Sequence, residues 1–407
     1  MNHNIKHLAL FTIILLSMLA SSCTQKPAPM QALIVTGQSN HNWQKSSVAL
    51  KYILDKSELF VTGMAISPAK GNDMSEFVID FSPYDVVVLD YVGDDWPVQT
   101  KNNFVEYVQN GGGVVVYHQS NNAFPDWPAY NEITGLGGWG GRNEASGPYI
   151  YIVDGELVRD DSPGRGGSHG RQHEFVVQAF KPDHPILKGL PERWMQAQDE
   201  LYSELRGPAE NLEVLAYAYA DKQYGGTGRN EPQLMTITYG QGRIFHTTLG
   251  HAGRGNNLPA MESVGFIVTL QRGAEWAATG KVTQKPPKNF PSETESLRWP
   301  FFEDIDEGFE DIVKRMQNYQ TGMSNDTFII LKHLVAKHGN NPEKISEYNQ
   351  TIRRLLNSRR TTTDCKQVLL VDFSWMADEQ MKPVYEKLLK DPELASNAQF
   401  ALDRLEN

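Results

Sequence analysis

The stretch Gly111-Gly-Gly-Val-Val-Val-Tyr-His-Gln-Ser-Asn-Asn122 decides the fold, because a glycine turn leads there into a short apolar strand that ends abruptly in polar residues. Residues 114–117 can be buried on both faces of a parallel sheet. Ligands of open α/β sheets bind at the carboxyl ends of the strands, where the polar residues lie. His118 is therefore the first catalytic candidate, although an imidazole held by a neighbouring loop carbonyl would fit the same sequence.

The first 280 residues repeat this alternation of buried strands and amphipathic helices. Besides 114–117, the predicted strands are residues 32–36, 58–67, 85–92, 173–179, 212–220, 233–239 and 243–249. The first predicted helix follows the loop 37–43 and ends at about residue 56, and the others are residues 98–109, 129–134 and 259–278. The alternation favours an α/β protein with a doubly wound, mostly parallel, flavodoxin-like sheet. A small α-helical domain is predicted to follow it.

The sequence predicts how the whole chain divides into segments. An apolar run followed by small residues predicts a lipoprotein signal peptide over 1–23, with Cys23 as the lipidated residue and 24–30 as a tether; plain secretion is the alternative. Such a protein would be exported and anchored to a bacterial membrane through its lipid. The α/β domain is assigned to 31–280, a linker rich in proline and lysine to 281–300, and helices to 301–407.

Charge argues against a nucleic-acid partner, and cysteine content excludes an internal disulfide. The formal net charge of -11 over 407 residues argues against a nucleic-acid partner, which needs clustered Lys and Arg. After Cys23 the chain has one further cysteine, Cys365, so the mature protein can form no internal disulfide.

Glycine is abundant in residues 135–171, which contain Gly135-Leu-Gly-Gly-Trp-Gly140, a literal match to the dinucleotide-binding fingerprint. The match follows a predicted helix instead of a strand, so we reject a nucleotide site there. Residues 164–170 are predicted to fold over the sheet edge as a lid.

Several motifs together give the chain a resemblance to a known family. They are the loop 37–43 with His41, the stretch 111–118, His173-Glu-Phe, Asp183-His-Pro-Ile-Leu-Lys-Gly-Leu-Pro191, Asp199-Glu-Leu-Tyr202 and Gly242-Arg-Ile-Phe-His-Thr-Thr-Leu-Gly-His251. Over about residues 32–278 the chain resembles the ThuA-like family, named for trehalose utilisation, which has the class I glutamine amidotransferase-like fold. The resemblance implies a role in carbohydrate catabolism, with 3-keto derivatives of glucosides as suspected substrates.

Glutamine amidotransferase activity is excluded by chemistry. That activity needs a nucleophilic thiolate at the turn between strand and helix, and the turn here carries His118-Gln-Ser120 in a domain without cysteine. A serine nucleophile at Ser120 would lack the usual Gly-x-Ser-x-Gly setting.

Imidazoles and carboxylates remain for the chemistry, and the catalytic candidates are His118, His173, His251 and Glu200. These groups suit acid–base work on a sugar without a metal. The histidines His118, His173 and His251 are equally candidate ligands for a divalent metal such as zinc, although no local ligand motif marks them. Both alternatives stay open.

Other polar and aromatic side chains are candidates for contacts with a carbohydrate. They are His41, Trp43, Asp95, Gln119, Asn121, Trp127 and Tyr202. Loop aspartates are also preferred turn and capping residues, and tryptophans often cap a core. We expect two of the five aromatics Trp43, Trp96, Trp127, Trp139 and Tyr202 to face a sugar.

Two functions follow from these residues. The first is an enzyme of the hydrolase, lyase or isomerase class that acts on glycosides or keto-sugars. The second is a catalytically silent sugar-binding module, whose carboxy-terminal helices would dock partner sugar-processing enzymes.

Overall fold

The computed structural model describes residues 28–253, 258–300, 309–321, 326–339 and 341–405. The predicted signal peptide, Cys23 and most of the predicted tether lie outside these ranges. Among the helices described, none has both the length and the apolar character needed to cross a bilayer.

Thirteen strands are described in these ranges. They are β1 (Met30–Thr36), β2 (Phe60–Ile66), β3 (Val86–Leu89), β4 (Gly113–Tyr117), β5 (Tyr149–Val153), β6 (Glu156–Asp160), β7 (Ser168–His169), β8 (His173–Ala179), β9 (Arg193–Asp199), β10 (Tyr202–Ser203), β11 (Leu212–Tyr219), β12 (Asn230–Tyr239) and β13 (Gly242–Thr247). The main sheet has the order β2-β1-β3-β4-β13-β12-β11-β8-β9, with β5 and β6 attached through β12. A separate short pair joins β7 to β10.

The main sheet confirms the predicted fold class and has two halves. Strands β2, β1, β3, β4 and β13 run parallel, whereas β12, β11, β8 and β9 extend the sheet in antiparallel pairs. Strands β5, β6, β7, β9 and β10 are not among those predicted from the sequence. In β9 the cause is visible, since Gln196 is a polar residue at a buried position and so obscures the alternation of a half-buried strand.

Helices cover both faces of the main sheet. They are α1 (Trp43–Lys56), α2 (Val98–Gln109), α3 (Pro128–Thr134), α4 (Pro259–Glu262) and α5 (Val264–Thr279). Alternate residues of each apolar strand enter opposite cores: in β3, Val86 and Val88 pack on the side of α1 and α5, and Val87 and Leu89 on the side of α2 and α3. This burial on both faces explains why the strands read as continuous apolar runs.

Two segments differ from the sequence prediction. The predicted helix over 259–278 is interrupted at Ser263, which bridges to Arg298. The predicted linker over 281–300 lies along the α/β domain, because Ser292 accepts a hydrogen bond from the backbone of Met195 and Leu297 one from Val264.

A helical region with its own hydrophobic core follows. Its helices are α6 (Phe309–Gln317), α7 (Asp326–Lys337), α8 (Pro342–Asn357), α9 (Thr363–Asp372), α10 (Lys382–Leu388) and α11 (Ala395–Leu405). It packs beside α1 and the edge strand β2: Trp375 contacts Trp43 at 6.4 Å between ring centroids, and Arg404 donates to the carbonyl oxygen of Ser67 at 2.6 Å. This packing covers only part of the sheet edge, since Val61 and Gly63 of β2 remain exposed.

Candidate functional site

Four ionisable side chains meet over the carboxyl edge of the parallel strands. His41 follows β1, His118 follows β4, His251 follows β13 and Glu200 follows β9. The Glu200 Oε2 atom lies 3.7 Å from His41 Nε2, 3.8 Å from His118 Nε2 and 3.1 Å from His251 Nδ1. We call these four residues the histidine cluster. The three histidines converge as expected where parallel strands of one sheet end together, and Glu200 joins them from the end of the antiparallel strand β9.

His118 occupies the sharp turn between β4 and a short 3-10 helix (His118–Asn122). Its φ of +39° is an uncommon backbone conformation for a residue other than glycine, and such strain concentrates at functional sites. The ring is fully buried, with Nδ1 2.5 Å from the carbonyl oxygen of Thr248. Burial lowers the pKa of His118 to about 3, so the imidazole is neutral.

A glycine turn after β13 aims His251 at the cluster. Gly250 has a φ of +97°, and a Cβ there would lie 2.6 Å from the ring of Phe266, so the turn requires glycine. The buried Asp199 carboxylate accepts from the backbone N–H groups of Gly250 (2.8 Å) and His251 (3.0 Å). Burial raises the pKa of Asp199 to about 6 despite these bonds. Asp199 therefore joins the loop after β9 to the loop after β13.

The charge within the histidine cluster resides on Glu200. Burial alone would raise the pKa of Glu200, but its interaction with the surrounding imidazoles, of which His251 Nδ1 is nearest at 3.1 Å, outweighs burial and lowers that pKa far below the usual range. Burial also lowers the pKa of His41. The result is an anionic carboxylate beside the neutral imidazoles of His118 and His41.

A second buried carboxylate, Asp90, lies beneath the loops. It accepts hydrogen bonds from Thr36 Oγ1 (3.1 Å), Ser46 Oγ (2.9 Å) and Gln119 Nε2 (2.6 Å). Burial raises its pKa to about 8. Asp90 is thus neither a solvated loop cap nor part of the histidine cluster; it ties β1, α1 and the turn after β4 together.

A cavity of about 460 Å³ opens onto the cluster. Its walls include Trp139, Tyr202 and His169, and its floor includes Glu200 and His251. The Tyr202 ring packs on the His118 ring at 4.3 Å between centroids, and Trp139 meets Tyr202 edge-on at 4.8 Å. Two of the five aromatics considered from the sequence therefore line the cavity.

The structure brings His41, His118, His251, Glu200 and Tyr202 together, as the sequence suggested, but places other candidates elsewhere. Gln119 and Asn121 are fully buried: Gln119 binds Asp90, and the Asn121 side-chain amide lies 3.1 Å from His246 Nε2. Neither side chain lines the cavity.

Four further candidates lie away from the cavity. The His173 ring stacks on Tyr224 at 3.8 Å, and its Nδ1 lies 2.8 Å from the carbonyl oxygen of Arg171. Trp43 packs against the helical region, as described above. Asp95 is an exposed partner of Lys101, and Trp127 stacks on Tyr130 in the core beneath α2 and α3.

Sequence reasoning missed three polar residues that line the cavity, Asn40, Asn122 and His169. His169 is the ionisable one. Its Nε2 atom lies 3.9 Å from Glu200 Oε2. The glycine-rich segment that carries it, predicted to be a lid, forms a wall of the cavity, because Ser168 and His169 pair with Tyr202 and Ser203 and the Gly167 N–H donates to the Glu204 carbonyl oxygen at 2.7 Å. The one local signal was the histidine within that glycine-rich segment.

Comparison with known proteins agrees with the fold and the motifs. The profile of the ThuA family, described as trehalose utilisation, matches residues 31–277. A solved ThuA-like protein from Parabacteroides merdae shares 57% identity, with a TM-score of 0.66, over 67% of this chain and 98% of that one. Another, from Bacteroides uniformis, shares 18% identity, with a TM-score of 0.43, over 64% of this chain and 96% of that one. No curated protein sequence matches. On the family match and the Parabacteroides merdae relative, this chain belongs to the ThuA family.

Proposed function

We propose that the protein is a sugar-processing enzyme of carbohydrate catabolism that acts on glycosides or on 3-keto derivatives of glucosides by proton transfer. The observation that carries the proposal is the anionic Glu200, in contact with three imidazoles at the floor of an aromatic-walled cavity. The cavity of about 460 Å³ lies within the range of roughly 300–1,000 Å³ typical of small-molecule sites. The family description, trehalose utilisation, supports a sugar as the ligand.

The proposed chemistry is the transfer of a proton beside a carbonyl group or onto a glycosidic oxygen. Both reactions need an acid or a base within hydrogen-bond reach of the sugar. His251 and His169 line the cavity, whereas His118 is buried behind Tyr202. We assign proton exchange with the sugar to His251 and His169, and to His118 and Glu200 the electrostatic setting of that exchange.

Sugar binding is assigned to the walls of the cavity. Trp139 is half-buried and presents an amphipathic ring to the cavity, suited to the C–H face of a pyranose. Asn40 and Asn122 also line the cavity and carry amides that can bind hydroxyl groups.

Single replacements separate the enzyme from a sugar-binding module. A panel of glucosides and their 3-keto forms is offered to the wild-type protein, His118→Ala, His251→Ala and the control His173→Ala, which lies outside the cavity. The proposal expects turnover by the wild type and by the control, and loss of turnover with retained sugar binding in the two cluster variants. Binding without turnover by the wild type would contradict the proposal and favour the module.

We also propose that the protein is exported and lipid-anchored through Cys23, so that sugars are handled outside the cytoplasm. The support is the order of the apolar run, the small residues and Cys23 in the sequence. Cys23→Ser is expected to abolish incorporation of a radiolabelled fatty acid into the expressed protein. Equal labelling of the variant and the wild type would refute the anchor.

A further inference from the structure

The histidine cluster has too few protons to satisfy its own acceptors. His118 Nδ1 lies 2.5 Å from the carbonyl oxygen of Thr248. A carbonyl oxygen can only accept, so Nδ1 carries the proton of the neutral ring. The lone pair of His118 Nε2 therefore points towards His251 Nδ1 at 3.3 Å and Glu200 Oε2 at 3.8 Å.

His41 repeats this arrangement from the other side. Its Nδ1 lies 3.1 Å from Asn40 Oδ1, an acceptor, which leaves the lone pair of Nε2 facing Glu200 Oε2 at 3.7 Å. His251 Nδ1, at 3.1 Å from Glu200 Oε2, is then the one cluster nitrogen that can present a proton to the carboxylate. Two imidazole lone pairs and a carboxylate oxygen therefore converge on a space to which His251 Nδ1 can supply a single proton, and a metal ion there would satisfy all three acceptors together.

We propose that a divalent transition-metal ion, zinc foremost, binds between His41 Nε2, His118 Nε2, His251 Nδ1 and Glu200 Oε2. Imidazole nitrogens with one carboxylate oxygen are ligands that zinc prefers. Ligand atoms about 2.1 Å from a tetrahedral ion are about 3.4 Å apart. The pairs described above are 3.1 to 3.8 Å apart, and all four atoms lie within 4.8 Å of one another.

The surroundings resemble the outer shell of a metal site. The second ring nitrogens of His118 and His41 donate to Thr248 and Asn40, an arrangement that sets the tautomer and ring orientation of metal-binding histidines. Asp199 holds the backbone of His251 in place. Glu200 and His251 also line the cavity, so an ion there would lie at its floor, where a sugar hydroxyl could reach it as a fifth ligand.

The inference concerns the site of the proposed function but does not require the sugar chemistry. Metal binding is measured with no sugar present. Failure of the metal experiment therefore leaves acid–base catalysis standing, and failure of the turnover experiment leaves the metal site standing.

The first test measures metal binding directly. The purified protein is stripped with a chelator, exposed to buffered Zn²⁺ or Co²⁺ and analysed for bound metal and for the visible absorption of Co²⁺. The wild type and the control His173→Ala are expected to bind one ion per chain, and Glu200→Gln and His251→Ala to bind at least about 100-fold more weakly. No ion on the wild type, or equal binding by the cluster variants, would overturn the proposal.

The second test follows the melting temperature and guards against a folding defect. In stripped protein, Glu200→Gln is expected to melt at or above the wild type, because the amide can donate a proton to an imidazole lone pair. With Zn²⁺ the order is expected to reverse, since binding stabilises the wild type. If Glu200→Gln melts below the wild type by the same amount with and without Zn²⁺, the carboxylate serves the fold and the proposal fails.

Discussion

Two regions of the sheet each contain a buried histidine in nearly the same surroundings. One is the interior around His246, and the other is the carboxyl edge around His118. Both rings are fully buried, and both place Nδ1 against a backbone carbonyl oxygen, of Thr134 at 2.8 Å and of Thr248 at 2.5 Å. Burial lowers the pKa of His246 to about 4 and that of His118 to about 3. Neither ring carries a charge at neutral pH.

The two regions differ at the other ring nitrogen. His246 Nε2 accepts from the side-chain amide of Asn121 at 3.1 Å, so a neutral ring is fully satisfied. His118 Nε2 faces Glu200 and His251 instead. The comparison teaches that burial and a shifted pKa do not distinguish a structural histidine from a chemical one; the partner of the remaining lone pair does.

The largest expected effect is on turnover at the edge. Glu200→Gln is expected to lower kcat/KM on a sugar substrate by about 10³-fold, within the range of acid–base contributions, because it removes the charge at the floor of the cavity. The matched control is Glu174→Gln, an exposed carboxylate hydrogen-bonded to Ser296. Steady-state kinetics measure both variants, and equal losses would show that the effect is not specific to the histidine cluster.

In the interior, replacement of His246 is expected to lower the stability of the fold. His246→Ala should lower the free energy of unfolding by about 3 kcal/mol, because it leaves a cavity and removes the partner of both Thr134 and Asn121. Urea denaturation measures this loss. Turnover per folded molecule is expected to remain within a few-fold of the wild type, and a loss as large as that of Glu200→Gln would assign His246 to the site.

The buried Asp90 is expected to make the free energy of unfolding depend on pH. The unfolded chain releases this proton near pH 3.8, whereas the folded protein holds it to about 8. Its contribution to stability is therefore full below the lower value, falls by about 1.4 kcal/mol per pH unit between the two, and is lost above the upper one. Asp90→Asn should flatten the fall by that amount in urea titrations at several pH values; an unchanged slope would show that Asp90 is ionised in the fold.

The smallest effect is expected outside both regions. Asp95 is exposed and paired with Lys101 at the surface, and such pairs contribute little. Asp95→Ala should change the free energy of unfolding by less than about 0.5 kcal/mol and leave KM unchanged. A substantial rise in KM would return Asp95 to the list of residues that bind the substrate.

Sequence reasoning found those members of the histidine cluster that follow a predicted parallel strand. His41, His118 and His251 each follow such a strand, and parallel strands end on one edge. It failed for neighbours of these residues, because the 3-10 turn buries Gln119 and Asn121 beside His118. Periodicity does not tell which side chains of a turn point towards solvent.

Pairing between strands distant in the sequence was the second reason why site residues could not be predicted. His169 reaches the cavity because β7 pairs with β10, a contact of two residues each that no local pattern announces. His173 looked equivalent in the sequence, yet its ring stacks on Tyr224. Strand β9 was missed for its buried Gln196, although Glu200 was found through its motif.

The most direct test of the account is the anomalous X-ray scattering of crystals grown with Zn²⁺, recorded on both sides of the zinc absorption edge. The account predicts one strong peak per chain, about 2.0–2.2 Å from His41 Nε2, His118 Nε2, His251 Nδ1 and Glu200 Oε2. The absence of a peak among these atoms in zinc-containing crystals, or a peak held by other side chains, would contradict it.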